Sequence, residues 1–471
     1  MERSPGKPAA DDDARRNLVA AYAVLEESDV RGLVAEFSHP VVAEAVREVL
    51  VSYRRRLGPG DVPPAMGAVV AAVRAAVLER ESERLRPVVN ATGIILHTGM
   101  GRAVLAPRAV RALAELDRCC NMQVDIRSGR RGSRNATTER LLTRLTGAEA
   151  ALVVNNNAAA TLLVLEVLCK GREVLVSQGQ VIEIGGSFRL HDCIEQAGAI
   201  LVRVGTTNRT HLSDYERALG PQTGAILRVN PSNFRVMGFT KEVSVAELAT
   251  LKGEHDVLVI DDMGCGALFE TERYGLPKEY TVQESIAAGA DLVCFSGDKL
   301  IGAAQSGIIA GRRDLVARIK KHPLTRMLRV CKLTDLVLEH TLRLFLDPET
   351  LPQTNPTVGM LAKTPAQLEA RAAALKGALE AEGLPLTLRV KEDESAVGGG
   401  SMPVTPLRTF ALAVRSDSIP LERLLALLRR NEPPIIARLG GGDVLLDART
   451  LLEGDDEVIH AALTRIARAQ S

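Results

Sequence analysis

The spacing of apolar positions changes character along this chain. From residue 17 to 58 apolar side chains recur at helical spacing: Leu18, Val19, Tyr22 and Leu25, then Val41, Val42, Ala45, Val46, Val49 and Leu50. This predicts a small helical unit, closed by Arg54-Arg55-Arg56 and the breaker LGPGDVPP. One amphipathic helix is expected next, over 64–86, stopped by Pro87. Residues 1–16 are polar and rich in Pro, Ala and Asp, the texture of a frayed end.

Near residue 88 the pattern turns to short β-rich runs separated by helical stretches. The runs are EAALVV (149–154), EVLVS (173–177), AILVRV (199–204), AILRV (225–229), DVLVI (256–260) and DLVCFS (291–296). A helix over 157–169 is expected after the first of them. Near-continuous apolar strands alternating with helices imply a mostly parallel sheet covered on both faces, an α/β fold. A helical stretch to Leu344 and a Pro-rich joint (DPETLPQTNP) follow. The remainder mixes helices, at 365–383, 420–430 and 455–468, with the strands LTLRV, TFALAV, IIARL and DVLLD. The expected organisation is an N-terminal helical domain (1–62), a linker helix (63–88), a large α/β domain (89–340) and a small α+β C-terminal domain (341–471).

Composition narrows the function classes. With 46% hydrophobic and 25% charged residues, the 471-residue chain reads as globular rather than disordered or fibrous. Aromatics are 3% and Trp is absent, so Ala, Val, Leu and Ile must build the core. The net charge of +1 excludes a uniformly basic coat for generic polyanions, but not a local basic patch. Even residues 1–90 carry 13 basic against 14 acidic side chains. The seven cysteines form no CxxC pair, so no metal or redox framework is expected, and a reducing cytoplasm fits best. The start of the chain lacks the apolar segment of a signal peptide, and the longest apolar runs are too short to cross a bilayer.

Three motifs carry chemistry. Ser296-Gly297-Asp298-Lys299 follows a strand and places a lysine in a Gly-containing turn. Such a lysine is a candidate for Schiff-base chemistry, because desolvation and neighbouring charge favour a neutral amine. Alone it reads more simply as a surface turn. Asp261-Asp262 closes DVLVI, where α/β sheets bind ligands at the C-terminal ends of strands. A carboxylate there suits pyridoxal phosphate (PLP), whose pyridine nitrogen must stay protonated for the ring to act as an electron sink. A turn-capping Asp is the plainer reading. Asn155-Asn156-Asn157-Ala158 joins a strand to a helix N-terminus, where backbone N–H groups and the helix dipole hold phosphates. Phosphate turn, Asp and Lys in this order make the plan of PLP fold-type-I enzymes.

The chain resembles the bacterial selenocysteine synthases, the L-seryl-tRNA(Sec) selenium transferases, over nearly its whole length. The resemblance runs through NATGIILHTGMGR (90–102), GRRGSR (129–134), LTGAEAALVVNNNAAA (145–160), IEIGGSFR (182–189), VGTTNRTHLSDYE (204–216), PSNFRVMGFT (231–240), SGDKLIG (296–302), LRVCKLT (328–334), VGGGSMP (397–403) and EPPIIAR (432–438). It implies the PLP-dependent fold type I, with Lys299 carrying PLP and Asp262 pairing with the pyridine nitrogen. Asn155, Asn156, Asn157, Ala158 and Ser296 would hold the cofactor phosphate, and Asp298 would orient Lys299. Arg102, Arg326 and Arg329 would hold selenophosphate, a small dianion suited to guanidinium forks. Arg326 and Arg329 are three apart and are expected on one helix face.

The implied reaction converts L-seryl-tRNA(Sec) to L-selenocysteinyl-tRNA(Sec), by β-elimination to a dehydroalanyl-tRNA and then selenium addition. The helical unit before residue 60 would bind the tRNA, and Arg54–Arg56 are candidates for its phosphates. The family also implies homo-oligomers, ring-like decamers of dimers, in the cytoplasm, with no metal and no membrane partner. Two other readings stay open. One is a divergent PLP β-eliminase or lyase acting on a small amino acid. The other is a tRNA-binding protein that has lost its chemistry.

The chain departs from the family pattern at several points. It has Cys331 for Asp, Cys265 for Ser, Asn135-Ala-Thr-Thr-Glu139 for His-Val-Glu, Asn230 for His, and Ala303-Ala304 for Gly-Pro. His97 and His211 sit inside family-like segments and are candidates to line the site, or are structural.

Overall fold

The computed structural model describes residues 17–469 except 59, 83, 84, 187 and 254. The expected frayed end at 1–16 lies outside the described residues. The chain divides into two compact units at Pro87/Val88.

The first unit is a helical bundle: α1 (Ala21–Glu26), α2 (Ser28–Phe37), α3 (His39–Arg56) and α4 (Met66–Ser82). Pro40 sits in the first turn of α3, where its missing N–H costs nothing. Val42, Ala45, Val46 and Leu50 of α3 face Val24, Val30 and Leu33, and all are buried. Val69, Val73 and Val77 form an i, i+4 stripe on α4 and enter the same core. The helix expected to be a linker is thus the fourth member of the bundle. A boundary at 62/63 would cut through one hydrophobic core.

The second unit is built on a seven-stranded sheet. Its strands are β1 (Ala150–Val154), β2 (Glu173–Ser177), β3 (Ile200–Val204), β4 (Thr223–Val229), β5 (Leu258–Gly264), β6 (Leu292–Ser296) and β7 (Gly307–Gly311). Their order is β1-β7-β6-β5-β4-β2-β3, with every pairing parallel except those of β7. Six of these strands are the six apolar runs of the sequence. GIIAG (β7) is too short and Gly-bounded to announce itself, and it enters antiparallel between β1 and β6. Two apolar cores, one on each face, cover the sheet.

The C-terminal region holds an antiparallel sheet of β8 (Thr387–Gly398), β9 (Ser401–Arg415), β10 (Arg438–Gly440) and β11 (Asp443–Asp447), in the order β8-β9-β11-β10. It is no separate compact unit. Val397, Met402 and Leu407 from the β8–β9 hairpin share a core with Phe345, Val358 and Phe295. The hairpin tip, Gly398-Gly399-Gly400, is left-handed at all three residues. A methyl group at Gly400 would stand 3.5 Å from Lys299 Nζ, so the bare tip reaches the lysine. Among the described residues no helix is long and apolar enough to cross a membrane.

Candidate active site

The C-terminal ends of β1, β4, β5 and β6 surround one cleft of about 270 Å³, lined among others by Arg102, Asn156, Asn157, Ala158, Asp262, Ser296, Asp298 and Lys299. Helix α5 (Asn157–Leu168) starts directly after β1. Asn156 caps it, its Oδ1 accepting from the Ala159 N–H at 2.8 Å. A side chain at Gly307 of β7 would run into the Asn156 carbonyl oxygen, 2.0 Å from its Cβ, so only glycine lets the turn seat on the sheet.

Strand alternation sends the two adjacent aspartates to opposite faces. Asp262 points to α5. Asn157 Nδ2 donates to its Oδ1 at 2.7 Å, and Thr161 Oγ1 to its Oδ2 at 3.0 Å. Burial pushes the Asp262 carboxyl above the ordinary carboxylate range, while these two donors and the Lys299 charge oppose that. Asp261 points the other way, to Arg228 Nη1 at 2.8 Å and Ser285 Oγ at 2.6 Å. That buried network braces β5 from behind.

Lys299 is buried, and its amine has no ion-pair partner among the described residues. Burial lowers its pKa from the ordinary lysine value; Arg102 pushes the same way, and nearby acidic groups oppose it. Asp298 is occupied elsewhere, its Oδ2 accepting from Arg102 Nη1 at 2.6 Å. Arg102 has a left-handed backbone (φ 64°), a strained state for a residue with a side chain. Its buried Nε and the buried Oδ1 of Asn157 have no hydrogen-bond partner.

These features fit PLP. A buried carboxylate held by two donors suits a protonated pyridine, and an unpaired, desolvated amine suits a Schiff base. The capped helix start with Ala158, and Ser296 across the cleft, suit a phosphate.

Of the residues expected in the site, Arg102, Asn156, Asn157, Ala158, Asp262, Ser296, Asp298 and Lys299 converge. Asn155 is exposed and outside the lining, its N–H donating to the Leu328 carbonyl. Arg326 and Arg329 are exposed and do not line the cleft. Nor do they share a helix face, because Arg326 lies in the one-turn helix Pro323–Met327 and Arg329 lies beyond its end. There Arg329 forms a bridge with Val154 at the end of β1. His211 caps a helix, and neither it nor His97 lines the cleft.

Several lining residues carry no signal beyond membership in a motif. Ile182, Ile184, Gly185 and Phe188 come from IEIGGSFR, and Asn230 and Ser232 follow β4. The departures Asn230 and Cys265 meet at one carboxylate. Asn230 Nδ2 and Cys265 Sγ both donate to Glu279 Oε1, at 3.0 and 3.2 Å. Asn135 and Thr138 likewise both donate to Asp335 Oδ1. Cys331 is exposed at the N-cap of helix Lys332–Leu342, whose first N–H groups lower its pKa.

A family model described as L-seryl-tRNA selenium transferase (SelA) matches residues 88–452. The chain is 44% identical over 453 residues to the L-seryl-tRNA(Sec) selenium transferase of Moorella thermoacetica, covering 96% of each chain. It is 42% identical over 457 residues to that of Desulfomicrobium baculatum, covering 96% of this chain and 98% of the relative. Among solved structures, D-glucosaminate-6-phosphate ammonia-lyase shares the fold, at a TM-score of 0.56 and 22% identity over 84% of this chain and 98% of that one.

Proposed function

Since this chain belongs to the L-seryl-tRNA selenium transferase family, we propose that its cleft converts L-seryl-tRNA(Sec) to L-selenocysteinyl-tRNA(Sec) with PLP as cofactor and selenophosphate as selenium donor. One observation carries the reading: a buried, unpaired Lys299 shares a cleft with a buried Asp262 held by Asn157 and Thr161. PLP, when bound, supplies an electron sink for charge developing at the serine Cα.

The chain's own groups do the rest. Asp262 holds a proton at the pyridine nitrogen, with Asn157 and Thr161 fixing its two oxygens. Ser296 and the start of α5 bind the cofactor phosphate. Lys299 would hold the cofactor through its Nζ, and the same atom is placed to take the proton from the serine Cα. Burial lowers the pKa of this amine from the ordinary lysine value, which favours the neutral form that step needs. The serine hydroxyl leaves as water, taking up a proton, and selenium from selenophosphate adds at Cβ, the P–Se bond breaking with water to release phosphate. Arg102 sits at the cleft with one guanidinium nitrogen on Asp298, which positions the fork for an anionic donor. Arg326 and Arg329 extend that cationic character outside the cleft. Asp298 acts by positioning Arg102.

The N-terminal bundle docks the tRNA body. The identity with the relatives spans 453 residues, too many to leave this unit out, and a lyase of small amino acids has no use for it. The enzyme works in the cytoplasm as a homo-oligomer.

The test is incubation of the PLP-loaded protein with seryl-tRNA(Sec) and selenophosphate. Selenocysteinyl-tRNA is the expected product. Turnover of free serine with none on charged tRNA would replace this reading with the lyase.

A further inference from the structure

A second cavity, of about 600 Å³, adjoins the lysine cleft. The two share Ser232 as a wall, and the tip glycine Gly400, 3.5 Å from Lys299 Nζ when given a methyl, lines the second. The volume lies within the range of small-molecule sites. Its walls are mostly apolar, from Ala396, Met402 and Pro403, with polar edges at Asn233, Ser401 and Glu394. Ser401 is 3% exposed, and its buried hydroxyl has no hydrogen-bond partner. Met402 has a positive φ of 47°, strain of the kind that gathers at ligand sites. Glu394 is the one charged group in the lining, which speaks against an anion and for a neutral ligand with flat apolar faces.

Resting on the proposed function, the geometry then forces a neighbour. The seryl group is esterified to the terminal ribose of the tRNA, so that nucleoside must lie within a few bonds of Lys299. We propose that this cavity receives the terminal nucleoside of the acylated tRNA, and that the adjoining loop after β4 (230–244) guides the unpaired nucleotides before it. The loop borders a further pocket that shares Met402, Pro403 and Thr405 with the cavity. That pocket carries Arg235 and Lys241, whose side chains have no ion pair among the described residues, together with Glu242, Lys278 paired to Glu284, and Glu279 already accepting from Asn230 and Cys265. Beside them Phe239 is 77% exposed, with the Arg209 guanidinium 4.1 Å from its ring centre. A charged groove with an aromatic platform is how proteins hold single-stranded nucleic acid. In a chain with 3% aromatics, an open phenylalanine at that place is a costly choice.

The experiment titrates the PLP-loaded full chain, by calorimetry, with two stable probes: serinamide, and 3′-deoxy-3′-serylaminoadenosine. The wild type should bind the adenosine probe at least about tenfold more tightly. Ala396→Trp fills the cavity from an exposed position, and Pro406→Trp fills it from the same wall. Either should reduce that preference to within about twofold and leave serinamide binding unchanged. Phe239→Ala and the Arg235→Ala/Lys241→Ala pair should raise KM for seryl-tRNA severalfold and spare the adenosine probe. No preference in the wild type, or a preference that survives both fills, overturns the assignment while seryl-tRNA is still turned over. Absence of turnover on seryl-tRNA instead strikes the functional reading itself, and the nucleoside site with it.

Discussion

The lysine cleft and the 323–332 strip carry the same kinds of side chain in opposite settings. In the cleft, Asp262, Asp298 and Lys299 are buried, and each aspartate is fixed by named donors. In the strip, Arg326, Arg329 and Cys331 are exposed, and neither guanidinium group has a hydrogen-bond or ion-pair partner among the described residues. Burial removes water's competition, so a carboxylate or amine in the cleft is committed to one geometry before any substrate arrives. Exposed guanidinium groups pay side-chain entropy to hold a pose and gain little until an anion fixes them. The cleft is therefore preorganised for the step that needs precision at one atom. The strip has no such fixed arrangement.

The sharpest way to break this contrast is Lys299→Ala. It should remove the visible absorbance of the lysine-bound cofactor and lower turnover by at least about a thousandfold, within the range of lost acid–base catalysis. A retained band with near-normal turnover would place the reactive lysine elsewhere. Next comes Asp262→Asn, which keeps the shape and removes the charge. We expect kcat to fall by about 10²–10³, as for loss of one preorganised electrostatic group, with cofactor still bound in a spectroscopic titration. The matched Asp261→Asn, behind the sheet, should cost stability in denaturant titrations rather than chemistry.

The strip should behave differently. Arg329→Ala should slow selenium transfer by about ten- to a hundredfold, the scale of a charge-assisted hydrogen bond, and leave the preceding elimination nearly intact. Single-turnover assays that follow the two steps separately decide this; equal losses would remove Arg329 from the donor site.

The smallest effect concerns pH. In the cofactor-free protein burial lowers the Lys299 pKa below its ordinary value of 10.5. Between the two values the unfolded chain binds more protons than the folded one, so stability rises with pH across that window. The wild-type Tm, compared with that of Lys299→Met, should improve by about a few degrees at most as pH climbs toward the ordinary lysine value. A flat difference between the two proteins would show that the amine is not desolvated.

Much of the fold was legible because apolar strands and helices have periods that survive without tertiary context. Six of the seven sheet strands, the start of α5 and the C-terminal helices follow from that alone. β7 was not legible, since five residues bounded by glycine become a strand only between β1 and β6. The membership of α4 in the bundle was likewise hidden, because a valine stripe does not say which core it enters. Lys299, Asp262 and the Asn156–Ala158 turn were legible as residue types at strand ends. Glu279 was not, because nothing in its local sequence marks it as the acceptor for both Asn230 and Cys265.

By itself the sequence determined which side chains stand at the C-terminal ends of the strands, since local periodicity fixes where strands stop. It also determined that no uniformly basic coat is available, because counting charges needs no coordinates. Only the tertiary structure decided which of two adjacent aspartates faces the cleft, that Arg102 is tied to Asp298, and that Arg326 and Arg329 stand outside. These are matters of which face a residue takes and what distant segment it meets. Strand alternation and long-range packing settle them, and neither is written in a residue's neighbours along the chain.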